Sequence, residues 1–265
     1  MENTEYYSKI VQYLNENRPL WQASVVDSDG STPAREGMKL AVGNPDILFG
    51  NLGGGELEHK VIELIRTKSY KTPVLLSFDL YSGAFIADLP TGMICGGKAK
   101  VFIEPLYLSE TLYVIGAGHC GRALGQLAKL SGFHVVLIDN RAEVIASELN
   151  ECCHKAILHD YGNLGEVINF SPQSYVVIMT HGHLHDKEVL EQCLQKPLKY
   201  LGMIGSKNKV AQTFAVLKEK GYLDSVLATC HAPIGLPIGS QTPYEIAVSI
   251  MAQLIATRHG LVIQY

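Results

Sequence analysis

The chain has 265 residues and a mass of 29.0 kDa, which at about 150 residues per domain makes two domains the expectation. With 47% hydrophobic and 18% charged residues and a mean hydropathy of +0.10, wholesale disorder, collagen and fibrous classes are excluded. A net charge of −4 from 22 basic and 26 acidic residues provides no global field for a polyanionic duplex, so nucleic acid is not an expected partner.

The N-terminal stretch alternates polar and apolar residues at helical spacing over 6–14 and has neither the basic start nor the apolar run of a signal peptide. No stretch reaches the roughly 18 uninterrupted apolar residues of a membrane span. A cytoplasmic protein with no membrane partner is expected. The cysteines Cys95, Cys120, Cys152, Cys153, Cys193 and Cys230 show no CxxC spacing, so they read as reduced thiols and not as a disulfide framework or zinc ribbon. A strand over 21–27 stops at SDGSTP, read as a turn or loop. Short strands follow at 39–42 and 46–49. GNLGGGELEHKVIELIRT (50–67) then passes from a glycine-rich loop into a helix whose apolar positions are Leu57, Val61, Leu64 and Ile65. Strands at 72–77 and 99–103 complete this half, and Pro105 marks a boundary near residue 108.

Beyond that boundary the pattern becomes strand, helix, strand, with strands at 112–115, 134–139, 176–179 and 200–204. Helices are expected over 121–132, 186–195, 207–220 and 243–258, the last with Thr242 as N-cap ahead of Pro243 and Glu245. Such alternation predicts a parallel sheet covered by helices. The fold class is therefore α/β: an N-terminal α/β domain over 1–108, then a Rossmann-like parallel-sheet domain over 109–265.

GAGHCG (116–121) fits G-x-G-x-x-G between a strand and a helix. In that pattern Gly116 allows the tight turn, Gly118 lets the backbone approach a pyrophosphate, and Gly121 permits close packing. Asp139 ends the next strand, where an acidic side chain accepts from a ribose hydroxyl. The same pattern suits a Rossmann unit without a dinucleotide, so the occupant stays open. His119 and Cys120 place an imidazole and a thiol beside a bound phosphate, and a helix N-terminus is expected to lower the thiol's pKa. THGHLHD (180–186) puts His181, His183 and His185 at alternate positions after a buried strand. That spacing raises a metal site, but the order His185 then Asp186 inverts the end of the H-x-H-x-D-H pattern of metallo-β-lactamases; a ligand crevice lined by His181 and His183 is the preferred reading. Two more loops are rich in backbone donors: Gly53, Gly54, Gly55 and Glu56 at one helix start, and Gly205, Ser206 and Lys207, with Lys209 close behind, after a strand. TGMICGGKAK flanks Cys95 with Gly96 and Gly97, leaving its sulfur little cover, and HAPIGLPIGSQTP (231–243) reads as a long rigid loop.

Taken in order, DGSTPAREGMKLAV (29–42), GNLGGGELE (50–58), MICGG (93–97), GAGHCGRAL, THGHLHD, YLGMIGSKNK and APIGLPIGSQTPYEIAVSI resemble the XdhC/CoxI family, accessory proteins of xanthine dehydrogenase and related molybdenum hydroxylases. Nearly the whole chain takes part in the resemblance. It implies a factor that binds molybdenum cofactor (molybdopterin), shelters it while a cysteine desulfurase adds the terminal sulfido ligand, and delivers it to a hydroxylase such as xanthine dehydrogenase. On that basis Cys95 is the first candidate to meet the molybdenum and Cys120 the second, since soft sulfur suits a dithiolene centre. Two departures from the family pattern stand out. Ala34 occupies the usual arginine position, with Arg35 one place later, and Gly182 replaces a frequent acidic residue between His181 and His183. The alternative is an NAD(H)-dependent oxidoreductase with His181 or His183 as acid or base, and a metal-dependent hydrolase stands third. Any self-association is expected to be a two-fold homodimer.

Overall fold

The computed structural model describes residues 2–30, 32–43, 47–79, 97–106, 109–146 and 148–261. It divides into two compact units, Met1–Leu108 and Ser109–Tyr265.

The first unit starts with α1 (Asn3–Asn15), then β1 (Leu20–Gly30), β2 (Lys39–Gly43), β3 (Leu48–Gly50), α2 (Gly55–Lys68), β4 (Val74–Asp79) and β5 (Gly97–Leu106). The strands form one antiparallel sheet in the order β3-β2-β1-β5-β4. Side chains alternate across a strand, and β2 uses both directions. Leu40 and Val42 join Leu57, Val61, Leu64 and Ile65 of α2 in one apolar cluster, while Ala41 joins Tyr6 and Ile10 of α1 in another. The two helices therefore cover opposite faces of the sheet.

Two strands run further than local sequence suggests. β1 continues through Ser28 and Asp29 to Gly30, past a bulge between Val25 and Asp27, because β5 supplies partners as far as Gly97. Its polar residues face outward, with Asp27 paired to Lys100 at 2.8 Å. β5 continues through Pro105 to Leu106. A proline is tolerated there because β4 begins at Val74 opposite Ile103, leaving Pro105 beyond that partner.

The second unit is built from β6 (Thr111–Ile115), α3 (His119–Leu130), β7 (His134–Asp139), α4 (Ala142–Ile145), β8 (Lys155–Leu158), β9 (Ser174–Ile178), α5 (Asp186–Cys193), β10 (Tyr200–Met203), α6 (Lys207–Glu219), α7 (Asp224–Leu227) and α8 (Pro243–Arg258). All strand pairs are parallel, in the order β10-β9-β6-β7-β8. β6, β7, β9 and β10 are buried almost throughout, as strands covered on both faces must be. Leu112 and Val114 point into the cluster holding Ala123 and Leu124 of α3 and Ile250 and Leu254 of α8; Tyr113 and Ile115 point into the one holding Leu190 of α5 and Leu217 of α6. α8 begins with a capping box in which Thr242 and Glu245 satisfy each other's backbone N–H, behind Pro243. The short edge strand β8 carries no pattern of its own in the sequence and is fixed by its pairing with β7.

Strand order reverses between β6 and β9, which opens a crevice at the carboxyl ends of these two strands.

Candidate functional site

In the second unit, β6 leads into Gly116, whose φ of +117° belongs to glycine. Its amide donates to the Ile138 carbonyl at 2.7 Å. A Cβ on Gly116 would overlap the Met179 carbonyl, and one on Gly121 would overlap the Gly116 carbonyl oxygen. Packing therefore demands both glycines. Gly118, the N-cap of α3, differs: its φ is −71°, and the nearest atom to a Cβ there is Arg141 Nη2 at 3.9 Å. The protein leaves open the side of Gly118 that a ligand's phosphate approaches in this loop type.

Asp139 does not play the role that its position at the end of β7 suggests. It is fully buried, and four donors meet its carboxylate. The Ala117 amide (2.7 Å) and Arg141 Nη2 (2.8 Å) reach Oδ2; the Arg141 amide (3.0 Å) and Nε (2.8 Å) reach Oδ1. Two oxygens offer about four acceptor sites, so none remains for a ribose hydroxyl. Burial works against the ionised form, but the Arg141 and Ala117 bonds outweigh it and hold the carboxyl below its usual range. Asp139 is a strut that ties the glycine loop to Arg141.

The Cys120 thiol also departs from expectation. Partial burial against the apolar cluster raises its pKa, so desolvation, not the helix N-terminus, sets its character. His119 is exposed at the start of α3.

The histidine loop forms the other wall of the crevice. Residues His181–His183 make a single 3-10 turn, with Gly182 at φ 58° and His183 at φ 62°. A left-handed histidine is uncommon and costs backbone strain, here offset by its side chain. His183 Nδ1 lies 2.7 Å from Asp186 Oδ2, and Asp186 Oδ1 accepts from the Thr180 amide (3.0 Å) and hydroxyl (2.6 Å). Lys209 Nζ sits 3.7 Å from Asp186 Oδ2 and 3.4 Å from the His183 carbonyl. Burial raises the Asp186 carboxyl and lowers the Lys209 ammonium. An ionised Asp186 accepts from Nδ1–H of His183, which leaves Nε2 as the outward acceptor. His181 is exposed; His185 lies against Tyr161 and 3.3 Å from Glu188. Among the described residues no group of three His, Cys, Asp or Glu side chains is placed to hold a metal ion.

Of the third loop, Ser206 caps α6 by accepting from the Lys209 amide at 3.3 Å, Gly205 precedes it, and Lys207 is exposed. The structure brings Lys209, not Lys207, to the histidine loop. Arg141 is the site residue that the motifs alone did not identify; Thr180 and Asp186 lie inside THGHLHD, which was read for its histidines, and Lys209 was expected only to add charge beside Lys207. The signal for Asp186 was present in THGHLHD, three positions after His183 and one helical turn away.

In the first unit the turn around residues 32–37 is a hub. Gly53 (φ +107°) presses on it so closely that a Cβ would lie 2.6 Å from the Ala34 amide nitrogen. On the other side a Cβ on Gly97 would lie 2.8 Å from the Asp29 carbonyl oxygen and 3.1 Å from Thr32 Cβ. Thr32 Oγ1 accepts from the Ala34 amide at 3.1 Å. The glycine loop is held by Asn51, which accepts from the Gly53 amide, and by Glu58, which accepts from the Leu52 amide at 3.0 Å. Gly54, the N-cap of α2, has φ +75° and open space beside it; Gly55 follows at φ +68°, and Glu56 is exposed. Ala34 is buried beneath Gly53, and Arg35 is the exposed residue. Cys95 and Gly96 lie outside the described residues. The described cysteines Cys120, Cys152, Cys153, Cys193 and Cys230 are free thiols, and burial pushes Cys193 and Cys230 up to about 12.

Comparison with known proteins follows the same division. Residues 112–254, more than half of the chain, match the family description "XdhC Rossmann domain", and residues 13–79 match "XdhC and CoxI family". The chain is 33% identical over 257 residues to the protein YqeB of Escherichia coli strain K12, covering 96% of this chain and 46% of that protein. It is 28% identical over 159 residues to a Bacillus subtilis strain 168 protein named as a probable xanthine dehydrogenase subunit, covering 60% of this chain and 46% of that protein. The chain thus spans about half the length of the curated relatives it matches. The crystal structure of a Bacillus halodurans protein described as a xanthine dehydrogenase superposes with a TM-score of 0.51 at 21% identity over 95% of both chains, a likeness of fold. No helix among the described residues is long and apolar enough to cross a membrane. With both halves matched in order, this chain belongs to the XdhC and CoxI family.

Proposed function

We propose that the chain is an accessory factor that binds molybdenum cofactor, protects it during sulfuration by a cysteine desulfurase, and delivers it to a xanthine dehydrogenase-type hydroxylase. Family membership across both units supports a role in maturing such a hydroxylase, as does the relative named for a part of xanthine dehydrogenase. The observation that carries the cofactor reading is the hub in the first unit. Two glycine-bearing segments far apart in sequence, at Gly53 and Gly97, meet on the turn at 32–37, and Gly54 leaves open a place where a side chain would block a ligand.

The donor set fits such a group. Its phosphate suits backbone amides at a glycine-lined helix start, and its pterin suits amide and carbonyl partners. Bound, the group supplies the molybdenum dithiolene centre of the client enzyme. The chain's own part is to hold and release it. Gly53 and Gly97 fix the hub backbone, Glu58 and Asn51 hold the loop through the Leu52 and Gly53 amides, and Cys95, beside Gly96 and Gly97 in the sequence, is the first candidate for the metal end.

The alternative, an NAD(H)-dependent oxidoreductase, draws on the Gly116–Gly118–Gly121 loop at the strand-order reversal. The saturated Asp139 carboxylate speaks against an NAD ribose there.

The test is a transfer assay. A cofactor-free molybdenum hydroxylase is incubated with the chain loaded with cofactor, with or without a cysteine desulfurase and cysteine. The expected result is activity that requires all components; equal activation by free cofactor alone would contradict the reading.

A further inference from the structure

The first unit holds a cleft of about 850 Å³ between α1, the 35–38 turn and the edge strand β3. Two of the segments singled out in the sequence form its walls: residues 35–39 on one side, Gly50 and Asn51 on the other. The walls are rigid. The Gly37 amide donates to the Val25 carbonyl at 2.9 Å, the Val25 amide to the Met38 carbonyl at 3.0 Å, and the Asn51 amide to the Lys39 carbonyl at 2.7 Å. Gly50, at φ +93°, lets the two backbones touch, since a Cβ there would overlap the Lys39 carbonyl and lie 2.9 Å from the Tyr6 ring.

The lining has two characters. Lys9, Arg35 and Lys39 bring three positive charges to the cleft, in a chain whose net charge is −4. Lys9 is paired with Glu5 at 3.0 Å, Glu36 is exposed on the same turn, and Lys39 Nζ donates to the Gly37 carbonyl at 3.1 Å. Arg35 and Lys39 flank the turn and remain the cations best placed for an incoming anion. Toward β3 the lining includes apolar side chains, with Met38 half-buried, Leu48 47% exposed, and the Phe49 ring packed against Tyr6 and Tyr13.

Cations at the turn and apolar side chains toward β3 match one ligand chemistry. The geometry points to this cleft as the binding site for a phosphorylated flat heteroaromatic: the phosphate on Arg35 and Lys39, the ring against Met38 and Leu48. Arginine meets phosphate through two parallel N–H donors, which fixes orientation as well as affinity. The inference rests on the cofactor reading above and sharpens it: of the two anchors open to that ligand's phosphate, the Gly54 helix start and the Arg35–Lys39 pair, it assigns the phosphate to Arg35 and Lys39, beside α1 and β3.

The full chain is titrated with neopterin monophosphate, followed by its fluorescence, and with unphosphorylated neopterin. The wild type is expected to bind the phosphate form about tenfold or more tightly, the size of one charge-assisted contact. The double variant Arg35→Gln/Lys39→Gln should lose that preference, while Arg35→Lys/Lys39→Arg keeps part of it. Both side chains lie outside the apolar clusters, and an unchanged melting temperature checks the fold. Equal binding of the two pterins by the wild type, binding of neither, or a preference unchanged in the double variant would each overturn the assignment. Loading with molybdenum cofactor separates the two claims. If the wild type binds the phosphopterin but retains no cofactor, the proposed function fails and the cleft stands. If wild type and double variant retain cofactor equally, the cleft assignment fails and the function stands.

Discussion

In the second unit, Gly116 and Gly121 are demanded by backbone contacts inside a parallel sheet, and the loop they shape is fastened by the fully buried Asp139 carboxylate. In the first unit, Gly53 and Gly97 are demanded by contacts to a surface turn, and the loop is fastened by Asn51, Thr32 and Glu58 near solvent. Both loops also carry a glycine with open space beside it, Gly118 in one and Gly54 in the other. The difference lies in what the loops are tied to. Loosening the loop of the second unit disturbs the parallel sheet and uncovers a buried charge; loosening that of the first breaks partly hydrated hydrogen bonds and uncovers only the small Ala34 and Leu52.

The largest effect should come from Gly121→Ala, where the new Cβ meets a backbone carbonyl that cannot move without disturbing β6 and β9. We expect a loss of about 3 kcal/mol or more in urea unfolding of the second unit. Asp139→Asn follows. It leaves Arg141 short of its partner, and since the Arg141 side chain is a quarter exposed the expected loss is about 2–3 kcal/mol. Gly53→Ala should cost about 2 kcal/mol, all of it in the first unit, because the 32–37 turn can give way toward solvent. A cost there equal to that of Gly121→Ala would erase the contrast between the units.

A smaller effect sharpens it further. His134 is stacked on His154 at 4.7 Å, and burial, with repulsion from His154 and Lys155, depresses its pKa from 6.5 to about 4. The unfolded chain binds this proton between pH 6.5 and 4 and the folded chain does not, so stability falls as pH falls through that window. A loss of about 1–2 kcal/mol is expected in the second unit, absent in His134→Phe, by thermal melting at stepped pH. The smallest stability effect belongs to Gly118→Ala, within about 0.5 kcal/mol, because its φ suits any residue and its surroundings are open. The same variant should weaken any phosphate-bearing ligand of that loop, read by isothermal titration.

Much of this was legible in the residues themselves. The alternation of apolar runs and glycine loops after residue 112 predicts the parallel sheet, and Thr242-Pro243-x-Glu245 marks the start of α8. Leu57, Val61, Leu64 and Ile65 mark the buried face of α2. What stayed hidden depends on partners distant in the chain. The extension of β1 through Ser28 and Asp29 is dictated by β5, and the passage of β5 through Pro105 by where β4 begins. At the site, the spacing of Asp139 identified its position and misassigned its role, since nothing in a motif says that Arg141 folds back onto it. The helix start likewise suggested an activated Cys120, and only packing reveals the desolvation that opposes it. Lys209 reaches the histidine loop from the start of another helix, a contact no local pattern encodes.

The central claim is tested most directly by anaerobic gel filtration of the purified chain with free molybdenum cofactor, following molybdenum and oxidised-pterin fluorescence across the protein peak. The account predicts co-elution of metal and pterin near one equivalent per chain, with NAD run in parallel failing to compete. A protein peak free of both pterin and metal would contradict it, as would retention of NAD alone.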